Sequence, residues 1–427
     1  MGKNIFDSYI VDKSKSLYKD NGRNVLSSDY LPDHLPHRGK QAAQLAQILA
    51  PSFNGSTPLN VLIYGKTGTG KTAVACYVQR ELAKKKKALE MGLGESVPVD
   101  CHYINCLINN SPYGVMAGIA NELEPGSVPD TGWSIEKVFR KLKENIEGIN
   151  IVILDEIDKL FSKNIGQGNQ LLYSLTNINS EIEKGKISLI GISNDTTYTL
   201  NLEQKVLGRI RGEQFVFRSY DATQLRDILT ERVESAFYPN VVKPDVVAFC
   251  AALGAQQNGD ARYALRLLMK AGDIAEQNKA VAVLSDHANQ AKSFLEKFVI
   301  KEGVQKLTQT QKLLLTALVL NKNHQFTTGE LYEEYAILCN TLRIERLTQR
   351  RITDLVSELD EAGLINAIMK SLGRGKGRTR LISLDANVPL EEIITGILDD
   401  DGRDSLEENV RKKIEHVFIK NKIYSFV

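Results

Sequence analysis

Short apolar runs punctuate the first half of the chain, with room for a helix between each. Residues 60–64 (NVLIY), 150–154 (NIVIL) and 188–193 (SLIGIS) are too short for a buried helix. They are also too continuously apolar for a strand with one wet face, so they read as parallel strands buried on both sides. Residues 99–105 are a more polar strand candidate, and helices are expected over residues 71–87 and after Pro112. The alternation predicts an α/β fold, a doubly wound parallel sheet over about residues 20–220. Residues 1–60 form a polar, irregular lead-in, broken by helical spacing at Leu45, Ile48 and Leu49.

Beyond Tyr220 only helical spacing remains. Asp221 can cap a helix carrying Leu225, Ile228 and Leu229, and residues 244–253 suit another. Asp260 can cap a third that carries Leu265, Leu267 and Leu268. This stretch predicts a small helical bundle reaching about residue 303. A third unit then has helices over residues 308–320, 328–338 and 348–361, the last closed by Gly363. Two β-like runs, 364–371 and 379–384, are joined by a loop rich in glycine and basic residues. Three helices and a hairpin in that order describe a winged helix. The expected domains are therefore 1–220, 221–303 and 304–427. The last forty residues, with an acidic patch at 399–401, suggest no role.

Residues 65–72, Gly65-Lys66-Thr67-Gly68-Thr69-Gly70-Lys71-Thr72, complete the pattern GxxxxGK[ST], with Ala73 next along the helix. Glycines let successive N–H groups turn inward around phosphate oxygens, and the following helix aims its N-terminus at them. Lys71 would reach the β- and γ-phosphates, and the Thr72 hydroxyl would ligate Mg²⁺. A chance match is expected in about one or two of a hundred chains this long. Here a strand precedes the loop and a helix follows, as the chemistry requires. ATP or ADP with Mg²⁺ is the expected ligand.

The run 151–156 (IVILDE) supplies the second half of such a site. An apolar strand ending in two acids puts Asp155 where it can hold Mg²⁺, mainly through water, and frees Glu156 to polarise an attacking water. Asn194 ends the 188–193 run. It would sit beside these acids if its strand lies between the two motif strands, and would otherwise only cap a loop.

Further segments in the same order make the resemblance specific. These are Leu35-Pro-His-Arg38, residues 154–158 (LDEID), Ser193-Asn194-Asp195, residues 259–265 (GDARYAL), residues 347–351 (LTQRR) and residues 373–380 (GRGKGRTR). The chain resembles the AAA+ ATPases, and among them the archaeal replication initiators related to the eukaryotic origin recognition complex and its helicase-loading cell-division-control partner. The likeness runs from about residue 25 to 385. It implies that Arg38 belongs to the adenine-side wall, that Asn194 is sensor 1, and that Arg262 is sensor 2, reaching from the lid to the γ-phosphate. The family's stretch for a trans-acting arginine finger has become Lys205-Val-Leu-Gly-Arg209-Ile-Arg211, with lysine at the usual arginine position. Which of these three cations serves, if any, is left open.

In the winged helix, residues 348–361 put Ile352, Leu355, Val356 and Leu359 on one stripe. Gln349, Arg350 and Arg351 start that helix, with Gln349 and Arg350 on the opposite face, where a recognition helix can read base edges. The wing adds Arg374, Lys376, Arg378 and Arg380 among glycines, suited to phosphates or a narrow minor groove. Docking of a protein is the alternative use of such a domain. Lys84–Lys87 reads as a solvent-facing basic run near the end of the P-loop helix.

Length, composition and charge narrow this picture only slightly. The 427 residues are enough for two or three domains, and 42% hydrophobic with 25% charged residues is ordinary globular composition. A net charge of +2 excludes a uniformly basic coat, so an anionic partner must be met by local patches. Five cysteines without paired CxxC spacing read as reduced thiols. No 18-residue apolar run and no apolar leader are present, so the expectation is a cytoplasmic, nucleoid-associated protein with no membrane partner. The resemblance implies an ATP-dependent replication initiator with weak, switch-like ATPase activity. It would bind double-stranded origin DNA, help to load the replicative helicase and possess initiator paralogues as further partners. A DNA-binding regulator built from the same modules is the first alternative, and a fast-turnover remodelling ATPase is the second.

Overall fold

The computed structural model describes residues 16–93, 97–162, 164–195, 197, 200, 202–210, 212–321, 325–371, 378–399, 411, 412, 414–416 and 419. The chain divides into two compact units, Met1–Asn289 and Gln290–Val427.

The first unit runs α1 (Gly22–Val25), α2 (Gly39–Leu49), β1 (Val61–Gly65), α3 (Lys71–Leu93), β2 (Val99–Asn105), α4 (Pro112–Leu123) and α5 (Ile135–Asn145). It continues through β3 (Gly148–Asp155), α6 (Lys159–Ser162), α7 (Ile165–Asn177), β4 (Gly185–Ser193), α8 (Gln204–Ile210) and β5 (Glu213–Phe217). The five strands form one parallel sheet in the order β2-β3-β4-β1-β5. Strand alternation splits its side chains between two cores. Ile149, Ile151 and Ile153 of β3 pack with Val61, Ile63 and Val74 on the face covered by α2 and α3. Val152 and Leu154 pack with Val115, Val138 and Leu171 on the other.

Three further helices complete the bundle expected after Tyr220: α9 (Ala222–Ala236), α10 (Pro244–Gln256) and α11 (Ala261–Gln277). Asp221 closes a full capping box on α9, and Asp260 accepts from the N–H groups of Arg262 and Tyr263 at the start of α11. Helix α12 (Ser285–Gln305) carries the chain into the second unit.

The second unit contains α13 (Gln309–Leu320), β6 (Phe326–Thr327), α14 (Thr328–Leu342), α15 (Gln349–Glu361), β7 (Ile365–Ser371), β8 (Arg378–Leu384) and α16 (Leu390–Leu398). Its sheet has the order β6-β8-β7. The apolar stripe of α15, Ile352, Leu355, Val356 and Leu359, is fully turned into this unit's core. Part of the last forty residues is structural: Ile393, Ile394 and Ile397 of α16 join the same core.

Two expectations need correction. Strand β5 was not expected, because EQFVF is charged at its start and only Phe217 is buried; pairing with β1 makes it a strand. The P-loop helix continues to Leu93 rather than ending near Lys87. Lys86 is not wholly solvent-facing, since its Nζ donates to Asp100 Oδ1 at 2.7 Å. Among the described residues, no helix is long and apolar enough to cross a membrane.

Candidate functional site

Strand β4 lies between β1 and β3, so the loop after β1, the acids after β3 and Asn194 after β4 emerge at one end of the sheet. The turn after β1 needs its glycines. Gly68 has φ +74° and Gly70 φ +87°. A Cβ on Gly68 would come within 1.9 Å of Asp260 Oδ1, and one on Gly70 within 2.7 Å of the Tyr220 hydroxyl. The lid therefore rests directly on the loop, and Ala261 N donates to Gly68 O at 3.2 Å.

Lys71 is buried, and its ammonium donates to Gly65 O at 2.7 Å, Lys66 O at 2.9 Å and Asn194 Oδ1 at 2.6 Å. Burial pushes its pKa down from 10.5 to about 8; the Asp155 charge opposes this and the nearby Arg262 charge adds to it. Asn194 Nδ2 in turn donates to Glu156 Oε1 at 2.8 Å. Lysine, asparagine and glutamate thus form one continuous polar chain. Glu156 takes a left-handed φ of +56°, which turns it out of the strand line.

Asp155 faces α3 because it shares the parity of Ile153. Its Oδ2 accepts from Thr72 Oγ1 at 2.7 Å and from the Tyr103 hydroxyl at 2.8 Å, and its Oδ1 from Glu156 N at 2.9 Å. Asn194 is steadied by its neighbour Ser193, whose hydroxyl donates to Asp158 Oδ1 at 2.8 Å.

These groups line a cavity of about 460 Å³. Its other walls are residues 27–32 and 34–36 of the lead-in and Ile228, Arg232, Arg262 and Leu265 of the lid. Arg262 is half exposed, with Nε 3.9 Å from Asp260 Oδ1. Arg38 does not line the cavity. It lies buried behind the P-loop, donating to Thr69 O at 2.9 Å and Arg218 O at 2.8 Å, with its guanidinium 3.9 Å from the Tyr220 ring centroid. Its contact is with the loop that would hold phosphates. Lys66 Nζ reaches Asn258 Oδ1 at 2.9 Å, and Thr69 Oγ1 folds back on Lys66 O at 2.8 Å. Thr67 and Ala73 complete the loop and the first helical turn.

From Ser16 onward the lead-in is more regular than its composition suggests. Leu17 N donates to Glu276 Oε1 at 2.8 Å, and Arg23 pairs with Asp273 at 2.9 Å and also with Glu276. Arg232 from the lid donates to Val25 O at 3.2 Å, while Arg80 from α3 donates to Pro32 O at 2.8 Å. This strap joins lid to core across the cavity. Sequence reasoning missed it, together with Tyr103 and Tyr220, because each partner is distant along the chain.

In the second unit Gln349 and Arg350 are exposed at the start of α15. Arg351 is also exposed, but lies 3.8 Å from Glu358 Oε1 and 4.0 Å from Asp354 Oδ2. Arg380 Nη1 donates to Ser357 Oγ at 2.6 Å, tying β8 to α15. Arg374, Lys376 and the side chain of Arg378 lie outside the described residues, as does Arg211. Of the other finger candidates, Lys205 pairs with Glu203 at 2.8 Å and Arg209 donates to Asn177 Oδ1 at 2.5 Å.

Comparison with known proteins matches three family models to successive stretches. They are the ATPase family associated with various cellular activities (AAA) over residues 61–218, the Cdc6 AAA+ ATPase-type lid domain over 226–293, and the CDC6 C-terminal winged helix domain over 302–394. An ORC1-type DNA replication protein of Pyrococcus abyssi is 44% identical over 382 residues, covering 87% of this chain and 88% of that protein. The chain belongs to the ORC1-type DNA replication protein family. An ORC1-type protein from Archaeoglobus fulgidus is 40% identical over 414 residues, 96% of each chain. The solved structure of Aeropyrum pernix ORC1 in complex with DNA shares 40% identity with a TM-score of 0.74, covering 88% of this chain and 96% of that one. Cdc6p from Pyrobaculum aerophilum, at 21% identity and a TM-score of 0.56, shares the fold. The ORC1-type chain thus has an AAA ATPase domain and lid in its first unit and a winged helix in its second, and nucleotide binding belongs to the AAA domain.

Proposed function

We propose that this ORC1-type chain is an ATP-dependent initiator that binds origin duplex DNA through its winged helix and assists loading of the replicative helicase. In this reading ATP and ADP set two states and slow hydrolysis passes between them, with initiator paralogues as further partners. The observation that carries the DNA-binding part is the 40% identity to an ORC1 protein solved in complex with DNA. The exposed Gln349 and Arg350 at the start of α15 agree with it.

At the nucleotide site Lys71 leaves Asn194 for the β- and γ-phosphates, and the P-loop amides hold the remaining oxygens. That move releases one end of the Lys71–Asn194–Glu156 chain, so phosphate arrival is passed to the group that takes the water's proton. Asn194 then orients that water, and Arg262 carries the γ-phosphate state into the lid. Arg38 supports the loop from behind.

The donor set fits Mg²⁺. Thr72 and Asp155 are hard oxygen donors 2.7 Å apart, and Mg²⁺ characteristically uses one or two carboxylates with phosphates and water. Among the described residues, no cluster of three or more His, Cys, Asp or Glu side chains could cage a metal alone. When bound, the ion would neutralise charge on the β- and γ-phosphates.

The test separates base readout from phosphate attraction. Substituting Gln349 and Arg350 should relax sequence preference by about 1–3 kcal/mol for each bidentate base contact. Substituting Arg374 or Lys376 should weaken binding to every duplex and lower the salt slope by about one for each phosphate no longer neutralised. Affinity measured against salt on specific and scrambled duplexes checks both. Wild-type affinity in both mutant sets would leave the winged helix as a protein-docking domain.

A further inference from the structure

Tyr103 is on neither the P-loop nor the acid-bearing strand, yet its hydroxyl reaches Asp155 Oδ2 at 2.8 Å. In the register of β2 with β3, Tyr103 pairs with Ile153, and Asn105 pairs with Asp155. Tyr103 and Asp155 therefore point to the same face of the sheet, two residues or about 6.6 Å apart along the strands. The long phenol spans this offset and arrives at the carboxylate from the β2 side. Thr72 approaches the same oxygen from α3. With Glu156 N on Oδ1, donors from β2, from α3 and from the turn after β3 fix the plane of one carboxylate.

We propose that Tyr103 is a positioning residue for magnesium-dependent ATP hydrolysis, its phenol holding Asp155 in the orientation that receives the hydrated ion. This rests on the reading of Thr72 and Asp155 as the Mg²⁺ donors. If the Thr72 hydroxyl turns its oxygen towards an ion, Tyr103 remains the side-chain donor on Oδ2. Phenylalanine keeps the ring and removes only the bond.

The experiment compares the full-length parent with Tyr103→Phe and Asp155→Asn, using a fluorescent ATP analogue titrated in EDTA and then against Mg²⁺. Tyr103→Phe should match the parent in EDTA, and its Mg²⁺ half-saturation should rise about tenfold, the size expected for losing a hydrogen bond to a charged group. Its kcat for ATP should fall by a similar factor with KM nearly unchanged. Equal Mg²⁺ half-saturation and kcat in parent and Tyr103→Phe would overturn the proposal, as would an equal drop in affinity with and without Mg²⁺, which marks a packing role. A parent whose ATP affinity ignores Mg²⁺, or an Asp155→Asn variant with undiminished Mg²⁺ response, would instead remove the magnesium reading beneath it.

Discussion

The depressed pKa of Lys71 makes ATP affinity a function of pH in a range where few other groups titrate. Burial pushes this lysine down from its ordinary 10.5 to about 8. Polyphosphate beside the ammonium must restore the proton, so binding above pH 8 includes protonation of Lys71. The apparent affinity should change little between pH 7 and 7.5 and fall about tenfold by pH 9, or roughly 1.4 kcal/mol. Proton uptake per ATP bound should be about 0.5 at pH 8 and about 0.9 at pH 9. Phosphate ionisation, with a pKa near 6, is complete by then. Calorimetric titration in two buffers of different ionisation enthalpy measures affinity and uptake together. For folding the sign runs the other way. The unfolded chain keeps its lysine proton to higher pH than the native one, so this group's contribution to stability improves as pH rises from about 8 to 10.5. Zero proton uptake between pH 8 and 9, with unchanged affinity, would refute the claim that Lys71 is the buried phosphate partner.

One further outcome concerns the nucleotide site and another the strap. Lys71→Ala should abolish ATP binding, whereas Glu156→Gln should keep binding and lose hydrolysis, because the lysine meets ground-state phosphates and the carboxylate acts on water; equilibrium binding and single-turnover assays separate the two. Glu276→Ala should cost about 1–3 kcal/mol in urea unfolding, since it leaves the buried Leu17 N–H without its acceptor. The Glu276 carboxyl lies below its ordinary 4.5; burial opposes this shift, and the hydrogen bonds from Ser16 and Leu17 with the Arg23 charge outweigh it. Its stabilisation is therefore present above that pH and lost as pH falls through the lowered value.

How much of this could be read from the chain depends on how local the determinants are. The P-loop was legible because Gly68 and Gly70 answer to local backbone angles, φ +74° and +87°, inside one eight-residue motif; that they also make room for Asp260 and the Tyr220 hydroxyl was not. Asp155 and Glu156 were legible because an apolar strand runs straight into them. The face of α15 followed from periodicity alone, and Ile352, Leu355, Val356 and Leu359 are all buried. Strand β5 was not legible, since Glu213, Gln214 and Val216 remain exposed and only the partner strand reveals them. Tyr103 looked like any aromatic residue in a strand, and its value lies in a register that pattern cannot supply. Arg38 was assigned to the adenine wall by resemblance, whereas its guanidinium bonds the backbone behind the loop.

The strap has a consequence for how the molecule is made. Ser16 and Leu17 find their acceptor in Glu276, 260 and 259 positions further on. A ribosome adding about 5–20 residues per second needs roughly 13–50 s to cover that distance. The sheet, whose strands end by Phe217, is complete in the emerging chain before the strap's lid anchors, Asp273 and Glu276, have been made. Closing so long a loop is among the slower steps of folding and gains nothing until the final hydrogen bonds form. Residues 16–23, although made early, are thus among the last to settle, and the nascent protein passes through an interval in which its nucleotide cleft is built but not yet strapped to the lid.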